Sequence, residues 1–200
     1  MLATLTRNSL LAALAFGSSF GHQAPETKPP MPITASKTTL AAPLYVAGYE
    51  TRTSMAKEAA GDSQIGQLWT NFYMQHQAGA EIPHRIGDNL IAVYSNYASD
   101  EKGEYTYLLG APVDSIEGLP KDLTYRKIPA GTYAVVTSAT GSLQEVVPAA
   151  WKQVWAMSPA QLGGKRSFVM DYEVVTQSPG DPSSGSVEIH LGLAPETPAK

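Results

Sequence analysis

The chain has no cysteine, which excludes disulfides, thiolate nucleophiles, zinc–thiolate sites and a lipid anchor on a thiol. It has no run of lysine or arginine. Its 14 basic residues are outnumbered by 18 acidic ones, for a formal net charge of −4, so nucleic acid is not an expected partner. The four histidines, His22, His76, His84 and His190, are scattered without metal-ligand spacing. No metal site, no cofactor and no catalytic residue is assigned. A Gly-rich phosphate loop and a G-x-S-x-G elbow are both missing. The S-x-x-K match at Ser54 and Lys57 lacks its companion motifs and reads as a polar loop. The apolar run from Leu10 to Phe16 falls well short of the roughly 20 residues that span a membrane.

What is present is enough for one domain with a real core: 200 residues, 43% of them apolar. Residues 1–24 have one positive charge at Arg7, a short apolar stretch and then small residues. That is the layout of a signal peptide, and it leads to the expectation of a periplasmic or secreted protein, with a cytoplasmic one as the alternative. Residues 25–42 are rich in Pro, Thr, Ala and Lys and are expected to form a flexible linker. The folded part is expected over 43–193, followed by a loose tail at 194–200.

The folded part repeats itself. Residues 43–53 read as a strand, and residues 62–77 as a helix in which Ile65, Leu68, Trp69, Phe72 and Tyr73 recur at helical spacing. "NLIAVYSNY" and "EYTYLLGAPV" then read as two strands. The second half does the same. "LTYRKIPAGTYAVVTS" is strand-like but broken at Pro129 and Gly131. "SLQEVVPAAWKQVWAM" is a helix, and "RSFVMDYEVV" and "SVEIHLGL" are strands. Ile65 and Trp69 correspond to Val147 and Trp151, "YTYLLG" to "VEIHLG", and "VYSNY" to "DYEVV". Two strand–helix–strand–strand units, about 43–115 and 123–193, imply an α+β fold with a pseudo-twofold axis. Its antiparallel sheet would carry two helices on one face and a central cleft on the other.

These pieces, in this order, resemble the gyrase-inhibitor-like (GyrI-like) small-molecule-binding domain, which is also the effector-binding domain of AraC-type transcription activators. The resemblance rests on "VAGYETRT", "IGQLWTNF", "IAVYSNY", "GEYTYLLGAPV", "IPAGTYAVV", "AAWKQVW", "DYEVV" and "VEIHLGL". It implies a duplicated unit around a cleft that takes amphipathic, often cationic, small molecules, with a buried glutamate in the penultimate strand. Glu173 in "YEVV" stands at that position. Val175 replaces an aromatic that the family often has, and His190 replaces another in the last strand. A stand-alone domain is expected, without the DNA-binding module of the regulators.

Strand alternation then sorts the side chains. Phe168, Met170, Tyr172 and Val174 are expected under the helices. Asp171, Glu173, Glu188 and His190 are expected on the cleft side, with Glu173 and His190 on neighbouring strands. A one-residue slip reverses this. Asp171 reads as an ordinary polar position. The candidate ligand contacts are Glu173, Tyr97, Trp69, Trp151, His190 and Tyr107; Tyr94 is expected to pack beneath a helix. The first functional reading is a small-molecule binder whose protein partners are unknown. The alternatives are a small-molecule hydrolase with Glu173 as acid or base, and an accessory domain that binds a protein.

Overall fold

The computed structural model describes residues 35–195 apart from Asp62. The expected signal peptide, most of the expected linker and the end of the tail lie outside the described residues. Two long helices, two short ones and one continuous antiparallel sheet make up the described fold. The chain order is β1 (Ser36–Leu40), β2 (Leu44–Ser54), α1 (Met55–Ala59), α2 (Gln64–Gln75), β3 (Leu90–Ser95) and β4 (Glu104–Val113). Then follow β5 (Thr124–Ile128), β6 (Gly131–Thr137), β7 (Gly141–Ser142), α3 (Leu143–Ala156), α4 (Pro159–Leu162), β8 (Arg166–Ser178) and β9 (Asp181–Leu193). Across the sheet the strands run β1-β6-β9-β8-β3-β4-β2-β5, with β7 paired to β9. This is the expected α+β duplication: β2-α2-β3-β4 is one unit and β6-α3-β8-β9 the other.

Local chemistry sets the helix starts. Ser63 caps α2 by accepting from the Gly66 N–H at 2.9 Å. The Glu58 carboxylate, on α1, accepts from the backbone N–H groups of Gln64 and Ile65, so a negative charge meets the unpaired donors and positive dipole end of α2. Both long helices lie on the same face of the sheet. Phe72, Ile65, Leu68, Trp69 and Tyr73 from α2 and Ala150, Trp151 and Val154 from α3 share one cluster with Leu109, Ile189 and Leu191.

The opposite face is also buried. Val46, Ile91, Val93, Leu108, Ile128, Tyr133 and Tyr172 form a second cluster. Ile128 and Tyr133 come from strands far apart in the sheet order yet belong to this one cluster, so the sheet curls around it. Gly48 and Gly110 are a cross-strand pair. A Cβ at Gly110 would sit 1.9 Å from the Ala47 carbonyl oxygen, so only glycine allows the two backbones this close.

The two repeats are related by the pairing itself. Val93 faces Leu108 in one unit as Tyr172 faces His190 in the other. Val93 and Tyr172 also face each other across the central β3–β8 seam. The pseudo-twofold axis therefore passes through this pair, and the same offset makes Tyr94 the counterpart of Glu173.

Two expectations change. Ser36–Leu40, placed in the linker from sequence, add a strand to β6. In β8 the faces are reversed. Asp171, Glu173 and Val175 point to the helices, while Met170, Tyr172 and Val174 line the inner curl. The sequence matching of "VYSNY" to "DYEVV" is one residue out of register, and a slip of one exchanges the two faces of a strand.

Candidate functional site

The site lies at the β3–β8 seam, between α2, which packs on β2 and β4, and α3, which packs on β9 and β6. Glu173 is 1% exposed. Its Oε1 accepts from the Tyr94 hydroxyl at 2.7 Å and from the Trp151 indole N–H. The Tyr94 bond thus joins equivalent positions of the two repeats across the pseudo-twofold axis. Burial drives the Glu173 pKa up, and the hydrogen bonds from Trp151 and Tyr94 offset this in part. Both donors are neutral, so the carboxyl group is hydrogen-bonded without a counter-charge supplied by them. Burial and the nearby Glu173 push the Tyr94 hydroxyl well above its ordinary range, which keeps it a donor.

Aromatic rings surround the carboxyl group. Tyr94 meets Trp151 and Tyr107 edge to face, each at 5.0 Å between centroids, and Tyr105 at 5.4 Å. The Trp69 indole N–H donates to the Tyr107 hydroxyl at 2.9 Å. The two helix tryptophans, equivalent by repeat, therefore reach the two sides of one cluster. Trp151 takes the acid and Trp69 takes the tyrosine beside it.

The second acid of β8 is equally hidden. Asp171 is 0% exposed. Its Oδ2 accepts from Arg166 Nη2 at 2.6 Å and from the Tyr97 hydroxyl at 2.7 Å. Its Oδ1 accepts from the Gly192 backbone N–H at 2.9 Å. The position read from sequence as ordinary and polar is therefore the centre of a buried ion pair.

Five of the six residues singled out from sequence fall on this face. Glu173, Tyr107, Trp69 and Trp151 share the cluster, while Tyr97 is half-buried at its margin on Asp171. His190 does not join them. It faces the inner curl, where its ring stacks on Tyr172 at 4.3 Å. Opposite Glu173 on β9 stands Ile189, so the expected Glu173–His190 pair does not form. The His190 Nδ1 has no hydrogen-bond partner among the described residues. Its Nε2 lies 3.4 Å from Glu188, near enough for charge pairing but out of hydrogen-bond alignment. Burial lowers the His190 pKa and Glu188 partly restores it. Tyr94 and Asp171 are the residues that sequence reasoning missed. The repeat offset would have found Tyr94, because it becomes the repeat counterpart of Glu173 once β3 and β8 are matched through their partner strands.

A separate surface depression of about 350 Å³ lies on another face of α2, lined by Tyr49, Leu68, Asn71, His76 and Asp122 among others. It does not include Glu173. The buried carboxyl group with its aromatic walls is the stronger mark of a built site, because nothing in the fold alone requires an acid there. Among the described residues there is no cluster of metal-ligating side chains, and no helix is long and apolar enough to cross a membrane.

Comparison with known proteins agrees with this architecture. Among solved structures, the integron cassette protein VCH_CASS2 of Vibrio cholerae superposes with a TM-score of 0.62 at 23% identity, covering 80% of this chain and 96% of that one. The structure of SAV2435 bound to tetraphenylphosphonium superposes with a TM-score of 0.61 at 15% identity, covering 80% and 93%. YobU of Bacillus subtilis (strain 168), whose name assigns it to transcriptional regulation, is 31% identical over 147 residues, which is 74% of this chain and 90% of that protein. Residues 42–192 match the model of the family described as Cass2, integron-associated effector binding protein, and the chain belongs to that family.

Proposed function

We propose that the chain binds a small amphipathic cation between its two repeats. Glu173 supplies the counter-charge, and Tyr94, Tyr107, Trp69 and Trp151 supply the walls. The observation that carries this reading is a fully buried carboxyl group whose hydrogen bonds from Tyr94 and Trp151 are both neutral. Such a group is costly as an anion in the empty protein. A ligand cation offsets that cost, and each good contact with an aromatic face adds roughly 0.5–2 kcal/mol. The tetraphenylphosphonium held by SAV2435 is a ligand of this chemical class on the same fold. Trp151 and Tyr94 rest on the carboxyl group, so a ligand enters by displacing them from it.

The hydrolase alternative, with Glu173 and either His190 or Tyr97 as acid and base, loses His190, which points to the opposite face of the sheet, while the Tyr97 hydroxyl is engaged on Asp171. We keep binding as the function. Export to the periplasm stays part of this proposal, resting on the layout of residues 1–24; N-terminal sequencing of the protein from its host tests it.

The binding test uses calorimetry with tetraphenylphosphonium, benzyltrimethylammonium and neopentylbenzene, the neutral isostere of the latter. Glu173→Gln keeps an oxygen for both donors and removes only the charge. It is expected to weaken both cations by about tenfold or more, near 1.4 kcal/mol, and to leave the neutral isostere unchanged. Equal loss for charged and neutral compounds would remove the charge role.

A further inference from the structure

Asp171 and Glu173 stand two residues apart on one face of β8, roughly 7 Å between Cα atoms at the rise of a strand. Both are buried carboxyl groups. A ligand chamber that held both as free anions would select two positive centres. The chain supplies one itself. The Arg166 guanidinium is on Asp171 at 2.6 Å, 4.3 Å from the Phe168 ring centroid and 6.0 Å from that of Trp151. Its side chain is 9% exposed. Arg166 therefore sits in a cage of carboxylate and aromatic faces, the same ingredients that surround Glu173. Trp151 is shared between the two, with its ring over the guanidinium and its N–H on Glu173.

The backbone is bent to bring Arg166 there. From Arg166 to Asp171 β8 takes five steps (171 − 166), while its partners on β9, Leu193 and Leu191, are two apart (193 − 191). The bulge contains Phe168 at φ +51°, a left-handed conformation that bulky side chains rarely adopt. Bulges of this kind re-aim side chains, and strained residues gather at functional sites.

We propose that Arg166 sets the charge count of the site: as a built-in cation it occupies Asp171 and leaves Glu173 to select a ligand with a single positive centre. This inference rests on the reading of Glu173 as the ligand's counter-charge. A further carboxylate, Glu101, lies 4.0 Å from Arg166 Nη1 at the exposed margin.

The test is a charge cycle over wild type, Arg166→Gln, Asp171→Asn and the double variant, each checked for folding by circular dichroism. Affinities are measured for benzyltrimethylammonium, neopentylbenzene and the dication para-xylylene-bis(trimethylammonium). Wild type is expected to prefer the monocation over its neutral isostere and to gain nothing from the second charge. Asp171→Asn leaves the guanidinium uncompensated beside the ligand and is expected to weaken the monocation about tenfold, with the neutral isostere unchanged. The double variant is expected to restore the monocation to near wild-type affinity. Arg166→Gln is expected to shift preference toward the dication. Should that variant fail to fold, Asp171→Asn and the double variant decide alone. If Asp171→Asn and the double variant bind the monocation alike, Arg166 has no such role. If wild type binds neither this cation nor tetraphenylphosphonium, the reading of Glu173 itself fails, and the two failures are thereby told apart.

Discussion

Two buried acids on one strand are treated in opposite ways. Asp171 has an arginine, a tyrosine hydroxyl and a backbone N–H, so its charge is met within the chain. Glu173, two residues on, has a tyrosine hydroxyl and an indole N–H, both neutral. In the first the charge is met, although Arg166 Nε has no hydrogen-bond partner among the described residues; the second awaits a proton or a cation. A fold that needed only stability would have filled both positions with apolar residues, since replacing a buried ion pair by a packed hydrophobic group is often neutral or stabilising. Under the proposed function, the unmet charge is the one that meets the ligand, and the met charge beside it shapes what can be met.

Breaking the met pair has the largest expected effect. Asp171→Ala strands the Arg166 guanidinium in a buried cage and is expected to cost about 3–5 kcal/mol of stability, the usual penalty for removing one partner of a buried pair. Chemical denaturation would measure it, and a loss below about 1 kcal/mol, typical of exposed pairs, would mean that Asp171 is not buried as described.

Trp151→Phe keeps a ring over Arg166 and removes the N–H from Glu173. Stability is expected to fall by about 1 kcal/mol, the net value of one hydrogen bond. Cation binding is expected to persist, because the ring face remains. Loss of cation binding in calorimetry, with the fold intact, would show that the N–H is needed to hold the Glu173 carboxylate toward the ligand.

The smallest effect belongs to His190, on the far face of the sheet. Its pKa in the folded protein is below its ordinary value of 6.5. The unfolded chain then binds more protons between these two values, so stability from His190 is full above pH 6.5 and is lost as pH falls through the folded pKa. His190→Phe retains a ring on Tyr172 and is expected to flatten this part of the profile of unfolding midpoint against pH. An unchanged slope between pH 6.5 and 5 would show that His190 is not held neutral by burial.

The order of elements was legible in the sequence because each helix carries an apolar stripe and each strand pair a turn. Ile65 and Trp69 against Val147 and Trp151 placed both tryptophans correctly at matching positions of α2 and α3, where both face the sheet. The face of β8 was not legible. Alternation identifies the buried side when the other side is wet, but here helices cover one side and the curled sheet covers the other, so both acids and Tyr172 are hidden. The bulge at Phe168 adds residues that a simple period of two does not count. Strand β1, Ser-Lys-Thr-Thr-Leu, is mostly exposed and has no apolar pattern of its own. It is a strand because β6 offers an open backbone edge. The break at Pro129 and Gly131 was visible, but not that it separates β5 and β6 to distant parts of the sheet order.

The most direct test of the unmet charge is the unfolding midpoint of wild type and Glu173→Gln across pH, with and without tetraphenylphosphonium. The folded pKa of Glu173 lies above its ordinary 4.5. Its contribution to the empty protein is therefore full below that value and lost as pH rises through the folded pKa. The account predicts that Glu173→Gln is more stable than wild type at neutral pH when empty, and that tetraphenylphosphonium raises the wild-type midpoint far more than that of the variant. A variant less stable than wild type when empty, together with equal stabilisation of both by the cation, would contradict it.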